Sequence, residues 1–167
     1  MKMNTLDDLL MHELEDLRSA EVQLIEALPK VAEAANSAPV RKAFEEHLKV
    51  TKTHLDRIDQ AFEAMGKKPN GHECAAMKGL IKECSEVTKL EGDPNVLDAA
   101  LIAAAQRIEH YEIAGYGTAR AHATECGHDE VATLLQETRN EEVAANETLT
   151  NIAVTTVNKK AGAASAQ

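Results

Sequence analysis

Glu112 stands where a leucine would be expected. The stretch around it reads LIAAAQRIEHYEIAGYGTARA, and its apolar line at spacings of four and three is Leu101, Ala105, Ile108, Glu112, Gly115, Ala119. Two other lines are interrupted in the same way. One is Leu10, Leu14, Leu17, Glu21, Leu24, Leu28, and the other is Val131, Leu135, Thr138, Glu142, Ala145, Leu149, Ile152. A carboxylate on a buried helix face is costly unless a partner or a metal ion takes its charge. A lone glutamate of this kind can snorkel or pair with an arginine across an interface. Three on three helices, each near mid-length, point instead to one acidic layer, because mid-helix positions meet at one level whichever way each helix runs.

Other residues join this layer. Glu109 lies one turn before Glu112 and shares its side of the helix. In the segment after Pro39 the apolar line reads Phe44, Leu48, Thr51, Leu55, Ile58, Phe62. His47 and His54 fall one heptad apart on the edge of that face, about 20° from each other. Glu141 precedes Glu142 but points roughly 100° away. Glutamate and histidine in this mix suit iron, manganese or zinc. Two ions bridged by carboxylates would neutralise the cluster, as in the bundle proteins that hold di-iron centres. The candidate ligands are Glu21, His47, His54, Glu109, Glu112 and Glu142. Iron, as a di-iron centre, is the first expectation, with manganese or zinc as alternatives. Tyr111 and Tyr116 flank the layer, as hydrogen-bond donors to it or as plain core residues. His110 falls on the outer side of its helix, and Glu45, Glu46, Glu63 and Glu91 read as solvated.

The elements that must position these residues can be read from break signals. A first helix starts near Asn4 or Thr5, with Asp7 and Asp8 in its first turn, and runs to about Ala35. Pro29 is expected to kink or restart it. Asn36 to Pro39 form a corner, and a second helix runs to about Met65 before Gly66. Residues from His72 to about Leu90 form a shorter helix, with Met77, Leu80, Ile81 and Cys84 on one face. After the Gly92-Asp93-Pro94 break, a third long helix covers Asn95 to Glu125 and ends at Gly127. Asp129 is expected to cap a fourth that reaches about Asn158. Residues 1–158 thus form one domain, and residues 159–167 are expected to fray. Short corners make two antiparallel hairpins. The connection of about 25 residues between them is longer than an up-down-up-down bundle needs. The expected fold is all-α, a ferritin-like four-helix bundle with a short extra helix in the long crossover.

Composition agrees with this. Aromatic residues make up 2% of the 167 and tryptophan is absent, so the core must be aliphatic, which favours helices over a sheet sandwich. The formal net charge is −10 and there is no basic cluster beyond short pairs, which argues against nucleic acid as a partner. No apolar stretch is long enough for a bilayer and the N-terminus lacks a signal-peptide pattern, so a cytoplasmic protein without a membrane partner is expected. Cys74, Cys84 and Cys126 form no CxxC pair and read as free thiols. His72 two residues before Cys74 could imitate a metal clip, but two close ligands fall short of a tetrahedral site.

The segments LRSAEVQLIEALPKVAEAA, AALIAAAQRIEHYEIAGYGTARA, LLQETRNEE and the AMKGLI run after Cys74 resemble the YciF/YciE-type proteins, small bacterial ferritin-like proteins of the DUF892 class. The resemblance covers nearly the whole chain, and IEHYEIAGYGT is its most specific part. It implies a ferritin-like bundle, a homodimer, a di-metal-type site and a link to bacterial stress responses. Alanine-rich surfaces such as Ala99, Ala100, Ala103 and Ala104 would let helices of a homodimer approach closely. By position, Glu21 matches the family's carboxylate on the first helix and His47 its histidine on the second. Glu109 and Glu112 match the ExxE of the third, and Glu142 the second glutamate of the pair on the fourth. The sequence departs at Val50, where the family commonly has an acidic residue three positions after the histidine. That removes a bridging ligand, which His54 could replace from the next turn. Neither the second nor the fourth long helix carries the Glu-x-x-His of ferritin-like oxidases. Two functions are therefore expected to compete: a metal protein reactive toward oxygen or peroxide, and a non-enzymatic dimeric stress protein that is structural or sequesters metal. A storage cage is disfavoured by the lack of a cage-forming fifth helix.

Overall fold

The computed structural model describes residues 3–164. Its elements are α1 (Leu6–Ala34), α2 (Ala38–Ala64), α3 (Ala75–Val87), α4 (Pro94–Glu125), α5 (Asp129–Ile152), a π-helical turn (Ala153–Val157) and α6 (Asn158–Ala164). No strand occurs among the described residues.

Each helix starts for a local reason. Thr5 caps α1 through a reciprocal box: its hydroxyl accepts from the Asp8 N–H at 3.1 Å, and the Asp8 carboxylate accepts from the Thr5 N–H at 3.0 Å. Helix α1 then runs unbroken through Pro29. The expected restart does not occur, because Pro29 is exposed, where water can satisfy the carbonyl its missing N–H leaves free. Asp93 caps α4, accepting from the N–H groups of Asn95 at 2.8 Å and Val96 at 3.1 Å. Asp129, expected to cap α5, is instead its first residue, where its charge suits the helix dipole. The cap position is His128, whose ring turns to Asp7 at 2.6 Å.

Two contacts across the chain give the helix directions. Asp98, in the first turns of α4, binds the backbone N–H groups of Asn36 (2.7 Å) and Ser37 (2.8 Å) at the α1–α2 corner. The His128–Asp7 contact brings the α4–α5 corner to the start of α1. Helices α2 and α4 therefore start at the same end, so the crossover holding α3 travels the length of the bundle. In the resulting square, α1 packs on α2 and α4, and α5 packs on α4 and α2, so every adjacent pair is antiparallel. Helix α3 lies over α1 and α4. Gly115 eases the α1–α4 contact, since a Cβ there would come within 2.9 Å of Leu17 Cδ2.

The chain stays helical beyond Asn158, where the sequence reading ended the last helix. The π turn buries Val157, and α6 packs against α4, which holds residues 159–164 in a helix instead of a frayed tail. The last three residues of that expected tail lie outside the described residues. The apolar interior forms two clusters. One holds Leu10, Leu14, Leu17, Ile58, Phe62 and Leu135, and the other holds Leu24, Leu28, Phe44, Leu101, Ile108 and Leu149.

The buried face of α2 is turned from the line read in the sequence. It runs Val40, Phe44, His47, Thr51, His54, Ile58, Ala61, an unbroken alternation of four and three. Leu48 and Leu55 are only half-buried. Both histidines thus sit on the centre of the face and not on its edge.

Candidate metal centre

Between the two apolar clusters lies a polar layer fed by the four long helices. Helix α1 supplies Glu21, α2 supplies His47 and His54, α4 supplies Glu109 and Glu112, and α5 supplies Glu142. Glu21, His54, Glu112 and Glu142 are 0% exposed and Glu109 is 3% exposed. The His47 side chain is 9% exposed. All six residues expected from the sequence are therefore brought together.

They form two overlapping groups. Ligand atoms of His47, Glu109, Glu112 and Glu142 lie within 4.8 Å of one another, and so do ligand atoms of Glu21, His54 and Glu142. Glu142 belongs to both. Its Oε1 lies 2.8 Å from His54 Nδ1 and its Oε2 lies 3.8 Å from His47 Nε2. His47 Nε2 is 3.4 Å from Glu109 Oε1, and His54 Nδ1 is 3.5 Å from Glu21 Oε1.

The donor set fits a metal, because close approach here is not hydrogen bonding. His47 Nε2, His54 Nδ1, Glu21 Oε2, Glu109 Oε2 and both carboxylate oxygens of Glu112 and Glu142 are buried without a hydrogen-bond partner. Even the 2.8 Å contact of His54 with Glu142 lacks hydrogen-bond alignment. Buried polar atoms in native proteins are nearly always satisfied, so a concentration of orphans at one level calls for an occupant. Imidazole and carboxylate donors facing a common point suit a transition-metal ion.

The surroundings orient these donors. The Tyr116 hydroxyl, fully buried, donates to Glu21 Oε1. His54 Nε2 lies 2.9 Å from Glu141 Oε2, and Arg57 grips Glu141 through Nη1 (2.6 Å) and Nη2 (2.9 Å). A histidine that offers one nitrogen inward while a carboxylate holds the other is the usual outer support of a metal-binding imidazole. The sequence reading set Glu141 aside as pointing elsewhere. The signal available was Arg57, three residues after His54 and so on the same side of α2.

Charge in the metal-free layer is uneven. Burial, and then the nearby charge of Glu142, push the carboxyls of Glu109 and Glu112 well above the ordinary range. Burial likewise raises Glu21, against the opposing effect of His54. Burial also opposes the charge of Glu142, but contacts with His54, Glu109 and His47 outweigh it and hold that carboxyl low. Burial works against the His54 cation, yet the close carboxylates of Glu142 and Glu21 push its pKa up to about 10. His47 is shifted down by burial. Without a metal, His54 and Glu142 favour their charged forms, whereas burial disfavours charge on Glu109, Glu112 and His47.

Other sequence candidates lie elsewhere. The Tyr111 hydroxyl donates to Asp16, outside the layer, with Cys74 Sγ 3.1 Å away. His72 turns to Asp16 at 3.1 Å, and among the described residues neither His72 nor Cys74 belongs to a ligand group. His110 is exposed, as expected. Glu15, which the apolar lines miss, is buried on α1 but belongs to neither ligand group. Val50 lines a cavity of about 310 Å³ together with His47, Glu109 and Glu141.

The chain is similar to known proteins along nearly its whole length. Residues 5–162 match the family described as "Domain of unknown function (DUF892)". Protein YciF of Escherichia coli (strain K12) is 46% identical over 162 residues, which is 96% of this chain and 98% of that protein. The crystal structure of the E. coli stress protein YciF superimposes with a TM-score of 0.91 at 45% identity, covering 94% of this chain and 99% of that one. YcfI from Rhodopseudomonas palustris gives a TM-score of 0.88 at 45% identity, over 91% and 97% of the two chains. A Xanthomonas campestris protein at 16% identity shares the fold, with a TM-score of 0.71 over 94% and 98%.

Proposed function

Since the chain belongs to the DUF892 family, whose description leaves its activity open, we propose a function from its own residues: the buried layer binds two transition-metal ions. The observation that carries this reading is Glu142, a fully buried carboxylate shared by two donor groups. Glu142, common to both donor groups, would help hold both ions; His54 and Glu21 would hold one of them, and His47, Glu109 and Glu112 the other. Iron is the first expectation for this donor set, with manganese or zinc as alternatives. Iron, when bound, supplies electrons for reaction with oxygen or peroxide.

The protein's residues prepare the layer for that chemistry. Tyr116 fixes the rotamer of Glu21, and Glu141 fixes the ring of His54. Glu109 and Glu112 give up the protons that burial forces on them when a cation arrives. The aliphatic clusters on either side give the layer apolar surroundings. The same proposal extends to this chain a homodimeric assembly, a cytoplasmic location and the stress role that the E. coli relative's description carries.

The test is metal content of the purified protein, followed by absorbance on adding ferrous ion and oxygen. Two ions per chain and an oxygen-dependent absorbance change are expected. Val50 and the missing Glu-x-x-His favour a second reading, a dimeric sequestering or structural protein. Tight binding with no oxygen-dependent change would select its sequestering form, and no binding of any of the three metals would overturn the metal proposal and leave the structural form alone.

A further inference from the structure

A cavity of about 510 Å³ lies beneath α3, bounded by α1, α2 and α4. This is within the range of small-ligand pockets, about 300–1,000 Å³. Its walls are apolar and deeply set: Leu24, Leu28, Phe44, Cys84 and Ile108 each line it and are at most 7% exposed. Its inner end is formed by His47 and Glu109, and its exposed rim carries Lys30, Lys89 and Glu26. Neither lysine takes part in an ion pair among the described residues. Lys30 and Lys89 supply the cations of the lining, and both lie at the rim, whereas the inner end closes on the carboxyl side chain of Glu109. An added anion finds its countercharge at the rim, while the walls between accept only hydrocarbon.

We propose that the cavity beneath α3 binds an amphipathic carboxylate of medium chain length, with its headgroup at Lys30 and Lys89 and its hydrocarbon tail directed toward His47 and Glu109. Helix α3 acts as the roof. It is pinned at its start by Cys74, whose N–H donates to Ser19 Oγ at 2.9 Å and whose carbonyl accepts from Gln23 at 3.1 Å. The tail end of the ligand is thus delivered to the edge of the polar layer. Reading that delivery as supply of a substrate rests on the metal proposal above; the binding itself does not.

Calorimetry with decanoate, decanol and decyltrimethylammonium on the full chain, as purified and again after chelation, tests this. One decanoate per chain is expected in both states, with decanol at least tenfold weaker and no binding of the cation. Reversing the rim with Lys30→Glu and Lys89→Glu, both at exposed positions, should weaken decanoate at least tenfold and leave decanol unchanged. Ala27→Phe, which fills the cavity wall, should abolish both. Equal affinity for decanoate and decanol overturns the proposal. So does an unchanged decanoate affinity after charge reversal, or binding that disappears on chelation and so places the headgroup at the inner end. Absence of any binding overturns it too. Metal titration of the same variants reports separately on the metal centre.

Discussion

Asp98 and Glu112 sit on the same helix, four turns apart, and are both buried, yet they do opposite things. The Asp98 carboxylate accepts from two backbone N–H groups and from the Asn36 side chain at 3.2 Å. It replaces a cap for α2, whose own Ser37 makes no side-chain cap bond. Both Glu112 oxygens are orphaned, and its nearest charged neighbours are other carboxylates. A buried acid whose oxygens are filled by the fold serves the fold. A buried acid left unfilled among its own kind costs stability that something else must return, and burial alone does not tell the two apart.

The largest effect that could break this contrast is metal stabilisation. At a manganous or ferrous concentration a thousandfold above Kd, the wild-type protein should gain about 4 kcal/mol, read as a rise in Tm. Glu112→Gln should lose most of that gain while remaining folded. Equal shifts in wild type and variant would show that Glu112 is not a ligand. Next is Asp98→Ala, which strands two backbone donors at the α1–α2 corner. It should cost about 2–3 kcal/mol in denaturant unfolding, with or without metal. A smaller loss in the metal-loaded protein would mean the two acids are coupled after all.

Glu112→Leu should go the other way in the metal-free protein and raise its stability by about 1–2 kcal/mol, because it removes a buried carboxyl that has no hydrogen-bond partner. A loss instead would show that Glu112 has a structural partner. The mildest test is pH. His54, Glu109 and Glu112 hold protons more tightly in the folded metal-free protein than their ordinary values allow. Their contribution is complete at low pH and is lost as pH rises, for His54 across the window from 6.5 to about 10. The metal-free Tm should therefore fall across that window, whereas the metal-induced increment should grow, since bound ligands must be deprotonated. A metal-free Tm that climbs from pH 6.5 to 9 would contradict the assignment of charge in the layer.

Much of this was legible before any coordinates. On α1, α4 and α5 a single charged residue interrupts an otherwise mostly aliphatic repeat, so the line and its interruption are both visible. Helix α2 misled because two leucines, Leu48 and Leu55, lie beside the true face, and hydrophobicity drew the line through them. The real face carries two histidines and Thr51 at successive core positions, so it reads as polar until its exact four-three alternation is followed through Val40 and Ala61. Asp98 was invisible for another reason. Its partners are backbone groups some sixty residues away, and no side-chain pattern records them. The tail escaped because Ala153 and Val157 are the last buried apolar residues before Asn158, and the small and polar residues beyond carry no periodicity.

The polar layer divides the interior into two hydrocarbon bodies, and each of the four long helices passes through both. Apolar contact makes each body cohere within itself but transmits little across a band of carboxylates. Cooperativity between the two ends of the bundle must then run along the helices and through whatever joins Glu21, His47, His54, Glu109, Glu112 and Glu142. An ion held there would act as a weld, turning two adjacent folding units into one.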